Sequence, residues 1–231
     1  MAGKLIVFEG IEGCGKTTQI QQIQPWLADR LSLNHSPGGK LHQPGVQVTR
    51  EPGGTQLGQH LRDLLLHHEI NEPLSDRSEL LLYAADRAQH IETLIKPLLD
   101  QGTMILCDRF TDSTLAYQGY GRGLDLQQIH QINQIATGGL VPDLTLWLNV
   151  PVEAGLTRIK ARKKADRIEQ ADLEFHYRVA EGFATLAKMY PQRIVPIDGN
   201  GDRDRVTQQI QNILNQKLLE WGLISNNDGC L

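Results

Sequence analysis

The stretch LIVFEGIEGCGKTT, residues 5–18, leaves this chain few folds to choose from. Residues 5–8 are a short apolar run, the pattern of a buried strand. Gly10, Gly15, Lys16 and Thr17 then complete G-x-x-x-x-G-K-T, the P-loop pattern, and each has a physical task. The glycines let backbone N–H groups curl around phosphate oxygens with no Cβ in the way. Lys16 reaches the β- and γ-phosphates of a nucleotide, and the Thr17 hydroxyl ligates Mg²⁺. A helix starting near Gly15 turns its positive end toward the same phosphates. The predicted phosphate-holding stretch is therefore Gly10, Ile11, Glu12, Gly13, Cys14, Gly15, Lys16, Thr17 and Thr18.

The rest of the chain gives the architecture around that stretch. Apolar β-type runs at 46–49, 103–107, 144–150 and 194–197 alternate with helical patterns at 16–31, 56–66, 76–100, 113–120, 125–137, 172–190 and 203–221. Alternation of this kind predicts a parallel sheet with helices on both faces. Pro25 is expected to bend the first helix. Asp76 is expected to cap the long stretch over 76–100. Residues 32–45 hold Pro37, Gly38, Gly39, Pro44 and Gly45, too many breakers for an element, and read as an exposed loop. His35 and His42 within it have no cysteine or carboxylate partner nearby, so they read as solvated rather than metal-binding. Residues 225–231 read as a frayed tail.

At 231 residues, one domain over 1–231 is the expectation, with a mobile segment over about 158–170. Lys and Arg number 23 and Asp and Glu 27, a net charge of 23 − 27 = −4, which argues against a general binder of nucleic acid or membrane surface. Cys14, Cys107 and Cys230 have no paired or metal-type spacing, which fits a reduced, cytoplasmic setting. No leader is read near the start, and no apolar run approaches the ~20 residues of a membrane span.

Several residues fall where an open α/β sheet binds ligands, beyond the carboxyl ends of its strands. Arg50 ends the second strand ahead of Glu51-Pro52-Gly53-Gly54, placed either to grip a phosphate or to pair with Glu51. Asp108 ends the third strand at the position where a carboxylate orients Mg²⁺, and Arg109 follows it. Tyr83 and Arg87 lie four apart on one helical side. A ring and a guanidinium so placed can stack on a base and bond its edge, or Tyr83 can be a core aromatic. Six positive charges between Arg158 and Arg167 are either a solvated helix face or a lid over the nucleotide.

With these residues in hand, the chain resembles the thymidylate kinase family, of the bacterial kind, from Leu5 to about Gly199. The motifs that carry the resemblance are FEGIEGCGKTT, TREPGGT from Thr49, DRF from Asp108, AYQG from Ala116, PDLT from Pro142 and DRIE from Asp166. The P-loop is shared by many nucleotide-binding proteins; the TREPGGT stretch is the specific one. The resemblance implies a three-layer α/β P-loop NTPase fold with a five-stranded parallel sheet. It implies phosphoryl transfer from ATP with Mg²⁺ to thymidine 5′-monophosphate (dTMP), by a homodimer.

By position, the resemblance gives Lys16, Thr17 and the loop backbone to ATP and the metal, with Asp108 also at the metal. Glu12 falls near the sugar 3′-hydroxyl. Arg50 and Arg109 hold the acceptor phosphate. Tyr83 stands where the family usually has Phe and stacks on thymine; Arg87 bonds its edge; Thr114 and Gln118 line the base pocket. Tyr117 packs where a 2′-hydroxyl would project. Two departures stand out. The 32–45 link is longer than the family's usual connection. The loop positions Ile11, Glu12, Gly13 and Cys14 include no arginine, which puts the catalytic arginines in the lid: Arg158, Arg162 and Arg167. Two other classes remain to be weighed. One is a kinase for a different nucleotide. The other is a GTPase-type switch, which would want an N-K-x-D motif; Asn149-Val150-Pro151-Val152 is not one.

Overall fold

The computed structural model describes residues 3–32, 45–67, 72–161 and 166–225. Five strands form one parallel sheet: β1 (Lys4–Glu9), β2 (Val46–Arg50), β3 (Met104–Asp108), β4 (Leu144–Asn149) and β5 (Ile194–Asp198), in the order β2-β3-β1-β4-β5. Alternation along β1 sends side chains to two separate cores. Leu5 and Val7 pack with Ile91, Ile95, Ile105, Cys107 and Phe110, whereas Ile6 and Phe8 join the larger cluster with Ile20, Ile23, Phe183 and Ile210. All four β1 residues are fully buried. A strand apolar on both faces can sit only at the centre of a sheet covered on both sides, which is why the run over 5–8 has no polar alternation.

The helices are α1 (Lys16–Ser32), α2 (Gln56–His67), α3 (Asp76–His90), α4 (Lys96–Asp100), α5 (Thr111–Thr114), α6 (Leu126–Thr137), α7 (Val152–Lys160), α8 (Leu173–Met189) and α9 (Arg203–Glu220). α1 runs without interruption through Pro25. Pro25 and Gln21, whose carbonyl loses its partner, are both exposed, so water satisfies what the proline frees.

Three local expectations need correction. The cap of α3 is Ser75, whose hydroxyl accepts from the Ser78 N–H, not Asp76, which sits in the first turn. The stretch over 76–100 is not one α-helix, because a π-turn over Ile91–Ile95 interrupts it and places both Ile91 and Ile95 in the sheet-facing core. The helix expected over 113–120 starts at Thr111, and a π-turn replaces it over Leu115–Gly121. π-turns concentrate at functional sites, and this one carries Tyr117 and Gln118. The expected loop over 32–45 and the tail over 225–231 lie almost wholly outside the described residues, as do His35 and His42.

The sheet register positions the site. Arg50 pairs with Asp108 across β2 and β3, and Phe8 pairs with Asp108 across β1 and β3. The carboxyl ends of three neighbouring strands thus finish level, and the loops leaving them open on one cleft.

Candidate active site

One end of the cleft is the loop between β1 and α1. Gly13 has φ +70°, and a Cβ there would run into the Gly155 carbonyl at the start of α7, so only glycine fits. Lys16 is buried beneath the loop and donates to the Gly10 and Ile11 carbonyls, each at 3.0 Å. Its ammonium is therefore held against the loop by two carbonyls and the Cys14 sulfur. The Thr17 hydroxyl donates to Asp108 Oδ2 at 3.1 Å. The other carboxylate oxygen, Oδ1, is buried and has no hydrogen-bond partner among the described residues. A hydroxyl and an acidic oxygen held side by side, with one lone-pair set unspent, fit a hard divalent cation that would draw its remaining ligands from phosphates and water.

The other end starts at Arg109. Its backbone is in the left-handed region at φ +72°, a strained conformation for a residue with a Cβ. A backbone bond from its N–H to the Phe8 carbonyl at 3.0 Å holds it there. The strain turns the guanidinium back across the cleft. It donates to the Gly10 carbonyl, Ser113 Oγ (both 3.0 Å) and Glu12 Oε1 (2.9 Å), and stacks over the Tyr117 ring at 4.9 Å. Burial pulls its pKa down, but Tyr117, Glu12, Asp108 and Glu9 outweigh that and raise it well above the ordinary arginine value. Tyr117 donates its hydroxyl to Glu12 Oε2 at 2.6 Å, and burial pushes that phenol well up, so it stays a neutral donor. Arg109, Glu12 and Tyr117 thus form one rigid unit joining β3, the P-loop and the π-turn. Arg50, by contrast, is exposed and makes a single long bond to Gln59 at 3.5 Å. It does not pair with Glu51, which is turned inward.

Arg87 is 2% exposed. Its Nε donates to Glu51 Oε2 at 2.8 Å, Nη1 to Thr114 Oγ1 (2.9 Å) and Asn133 Oδ1 (2.8 Å), and Nη2 to the Phe110 carbonyl at 3.0 Å. Of the five N–H groups of a guanidinium, these contacts use four and leave one on Nη2. Tyr83, one turn earlier, lines the same cleft with Thr114 and Gln118. Burial, then the nearby Glu79 carboxylate, raise its phenol above the ordinary value, so the ring is neutral. The cleft also takes in Arg50, Asp108 and the P-loop residues Glu12, Gly13 and Gly15–Thr18. One cavity therefore joins the Gly-rich loop, four arginines (Arg50, Arg62, Arg87 and Arg109) and an aromatic, hydrogen-bonding pocket.

A family model described as thymidylate kinase matches residues 8–210. The chain belongs to the thymidylate kinase family. It is 58% identical to the thymidylate kinase of Trichodesmium erythraeum over 97% of this chain and all of that protein. The thymidylate kinase of Nostoc punctiforme is 56% identical, over 93% of this chain and 96% of the relative. The crystal structure of thymidylate kinase from Ehrlichia chaffeensis superposes with a TM-score of 0.71 at 35% identity, covering 93% of this chain and 99% of that one.

In this member of the family the three arginines expected to act from a lid have different surroundings. Arg158, exposed on α7, donates to the Gly13 carbonyl of the P-loop at 3.2 Å. Arg162 lies outside the described residues. Arg167 donates to the Leu65 carbonyl at 2.9 Å and pairs with the buried Glu79 carboxylate. Its turn is built by Asp166 and Glu169: Asp166 Oδ1 accepts from the Ile168 and Glu169 N–H groups, and Glu169 Oε2 accepts from the Asp166 N–H. The DRIE motif is thus a reciprocal cap that aims Arg167 at the α2–α3 side of the cleft.

Several residues that shape the site went unread in the sequence. Glu9 is fully buried and accepts from the Phe110 and Ser113 N–H groups and from Ser113 Oγ, the hydroxyl that in turn accepts from Arg109. Burial, then the Asp112 carboxylate, raise its pKa to about 7. Glu51 bridges Arg87 and His90, and His90 meets Thr49 at 2.7 Å, so the TREPGGT motif is anchored from beneath. Asp86 accepts from the Gly53 N–H at 3.0 Å, and burial, then Glu51, raise its pKa to about 6. The one local signal for Glu9 was a carboxylate ending an otherwise apolar strand. For Glu51, Glu79 and Asp86 there was none, since charged residues in helices and turns usually face water.

Proposed function

We propose that the chain transfers the γ-phosphoryl group of ATP to dTMP, giving dTDP for dTTP synthesis, with each end of the cleft holding one substrate. The observation that carries this reading is the convergence of the P-loop, Arg109 and the Tyr83–Arg87–Thr114–Gln118 pocket on a single cavity. The nine residues Gly10–Thr18 and the ammonium of Lys16 hold the ATP phosphates. Arg50 and Arg109 take the acceptor phosphate: Arg109 as a fixed anchor, Arg50 as an exposed group free to fold over it. Thymine stacks on Tyr83, and the remaining Arg87 N–H meets its edge, with Thr114 and Gln118 completing the pocket. Tyr117, tied down by Glu12, fills the space beside the sugar.

Phosphoryl transfer of this kind asks the protein for alignment and charge neutralisation rather than for a base, since the acceptor phosphate oxygen is already a nucleophile. Thr17 would hold Mg²⁺ with Asp108 beside it, and the ion would supply charge neutralisation to the ATP phosphates. Lys16 and Arg109 do the same from fixed positions. Arg158, Arg162 and Arg167 supply the mobile positive charge from a lid over about 158–170 within a single domain of residues 1–231. The chain acts as a homodimer, a reading supported by exposed Leu57, Leu81 and Ile135 on α3 and the two helices packed against it, α2 and α6. A cytoplasmic setting is supported by the free, buried thiols of Cys14 and Cys107. Among the described residues, no helix is long and apolar enough to cross a membrane.

The test is a coupled assay with ATP, Mg²⁺ and a panel of nucleoside monophosphates. Turnover with dTMP well above that with the deoxycytidine, uridine and deoxyguanosine monophosphates is expected. Equal turnover across the panel would overturn the pocket reading.

A further inference from the structure

We propose that Glu79 is a positioning residue for nucleobase selectivity: its carboxylate, clamped by Arg122 and Arg167, fixes the Gln118 amide with its carbonyl oxygen toward the base. The inference rests on the proposed base pocket and adds to it the residue that sets which end of Gln118 the base meets.

Glu79 lies on α3 with no solvent exposure. Its Oε1 accepts from Gln118 Nε2 at 2.8 Å and from Arg122 Nε at 3.4 Å. Its Oε2 accepts from Arg122 Nη2 at 3.3 Å and from Arg167 Nη2. A carboxylate can only accept, so the face of Gln118 turned to it must be the NH₂ end. Its Oε1 is then left for the cleft, which Gln118 lines. Burial opposes the charge on Glu79, but the Gln118 bond and the Arg167 and Arg122 charges outweigh it and hold the carboxyl below its ordinary value. The orientation of the amide is therefore forced by chemistry.

The consequence is a fixed donor–acceptor order at the base edge. The free Arg87 N–H offers a donor, and Gln118 Oε1 an acceptor. A thymine ring presents a carbonyl oxygen beside a ring N–H, which matches both. A cytosine ring presents an amino group beside an unprotonated ring nitrogen, which opposes both. A buried mismatch of this type costs more than a missing contact, because it leaves polar groups unpaired. Arg167 belongs to the DRIE turn of the lid segment, so lid seating and base reading share one carboxylate.

Glu79→Gln makes a directional test. The new amide must keep its carbonyl toward the two guanidinium groups, which are donors only, and so turns its own NH₂ toward Gln118. Gln118 then flips and offers NH₂ to the cleft. The quantity to measure is the ratio of kcat/KM for dTMP to that for deoxycytidine monophosphate. In Glu79→Gln this ratio is expected to fall about tenfold to a hundredfold, mainly through KM. In a Gln118→Leu background the same substitution is expected to leave the ratio unchanged, since there is no amide left to orient. Should Glu79→Gln fail to fold, Glu79→Asp keeps the charge for Arg122 and Arg167 while withdrawing the oxygen from Gln118, and the ratio is expected to fall there too. A folded Glu79→Gln or Glu79→Asp protein with the wild-type ratio would overturn the proposal. So would an equal fall with and without Gln118, which is what a purely structural carboxylate would give. If Gln118→Leu by itself leaves the ratio intact, the base-pocket reading fails, and the proposal with it.

Discussion

The two ends of the cleft are built in opposite ways. The donor end is one continuous stretch, Gly10–Thr18, working mostly through backbone N–H groups, one helix terminus and one lysine. The acceptor end is assembled from the β2–α2 turn, α3, the β3–α5 turn and the Leu115–Gly121 π-turn. It is held by buried ionic contacts: Arg87 with Glu51, Arg109 with Glu12, and Glu79 with Arg122 and Arg167. Phosphate is the same in every nucleotide and can be met by any backbone that curls, so the donor end needs only local conformation. A nucleobase must be told from others by placed side chains, and side chains reaching into one small space must be braced by partners elsewhere in the fold. The braces are what make the acceptor end both selective and costly to disturb.

If that contrast is right, damage to the donor end removes rate and damage to the acceptor end removes stability as well. Lys16→Ala should lower kcat/KM by about 10³-fold, because it deletes the fixed charge under the phosphates. Its circular dichroism and unfolding cooperativity should remain those of a folded protein; near-normal turnover in a folded variant would break the comparison. Arg87→Met should do what Lys16→Ala does not. It leaves Glu51, itself nearly inaccessible, without its charge partner, at a cost of about 3–5 kcal/mol in urea unfolding. A midpoint equal to wild type would mean the pair is not a brace.

The junction between the two ends can be read by pH. Glu9 lies behind both, with a folded pKa of about 7 against an ordinary 4.5. Between those values the folded state holds a proton that the unfolded state has lost, so this group makes stability fall as pH rises. Glu9→Gln removes that fall, so the stability of the variant minus that of wild type should grow from about pH 4.5 to 7, by on the order of 3 kcal/mol at most. Paired unfolding curves across that range would check it, and a constant difference would refute it. The smallest effect is expected at the sugar. Tyr117 cannot swing aside while its hydroxyl is bound to Glu12, so a ribose 2′-hydroxyl would be buried without a partner. The ribosyl analogue of dTMP should lose about tenfold to a hundredfold in kcat/KM, and Tyr117→Ala should narrow that gap.

Legibility followed the same division. Residues 5–18 spelled out a strand, a phosphate loop and a helix start, because each depends on φ, ψ and apolar spacing within a few positions. That Asp108 ends β3 was legible from its place at the end of an apolar run. The parallel five-stranded sheet followed from alternation of patterns, and the five strands lie within a residue or two of where the apolar runs placed them. The π-turns over Ile91–Ile95 and Leu115–Gly121 were not legible, since a one-residue change of helical register leaves the apolar spacing almost untouched. The cap of α3 was misplaced by one residue because Ser75 and Asp76 are equally good caps by type.

By itself, then, the sequence determined what depends on near neighbours: which segments are strands, where the Gly-rich loop turns into α1, and that Arg50 and Asp108 end strands. Tertiary structure alone decided which charges meet. Glu51, Glu79 and Asp86 look like surface carboxylates along the chain and become buried partners only when the β2–α2 turn, α3 and the π-turn close on one another. The physical reason is that desolvating a charge is unfavourable anywhere except beside a partner, and the partners lie as far apart as Glu79 and Arg167, 88 positions along the chain.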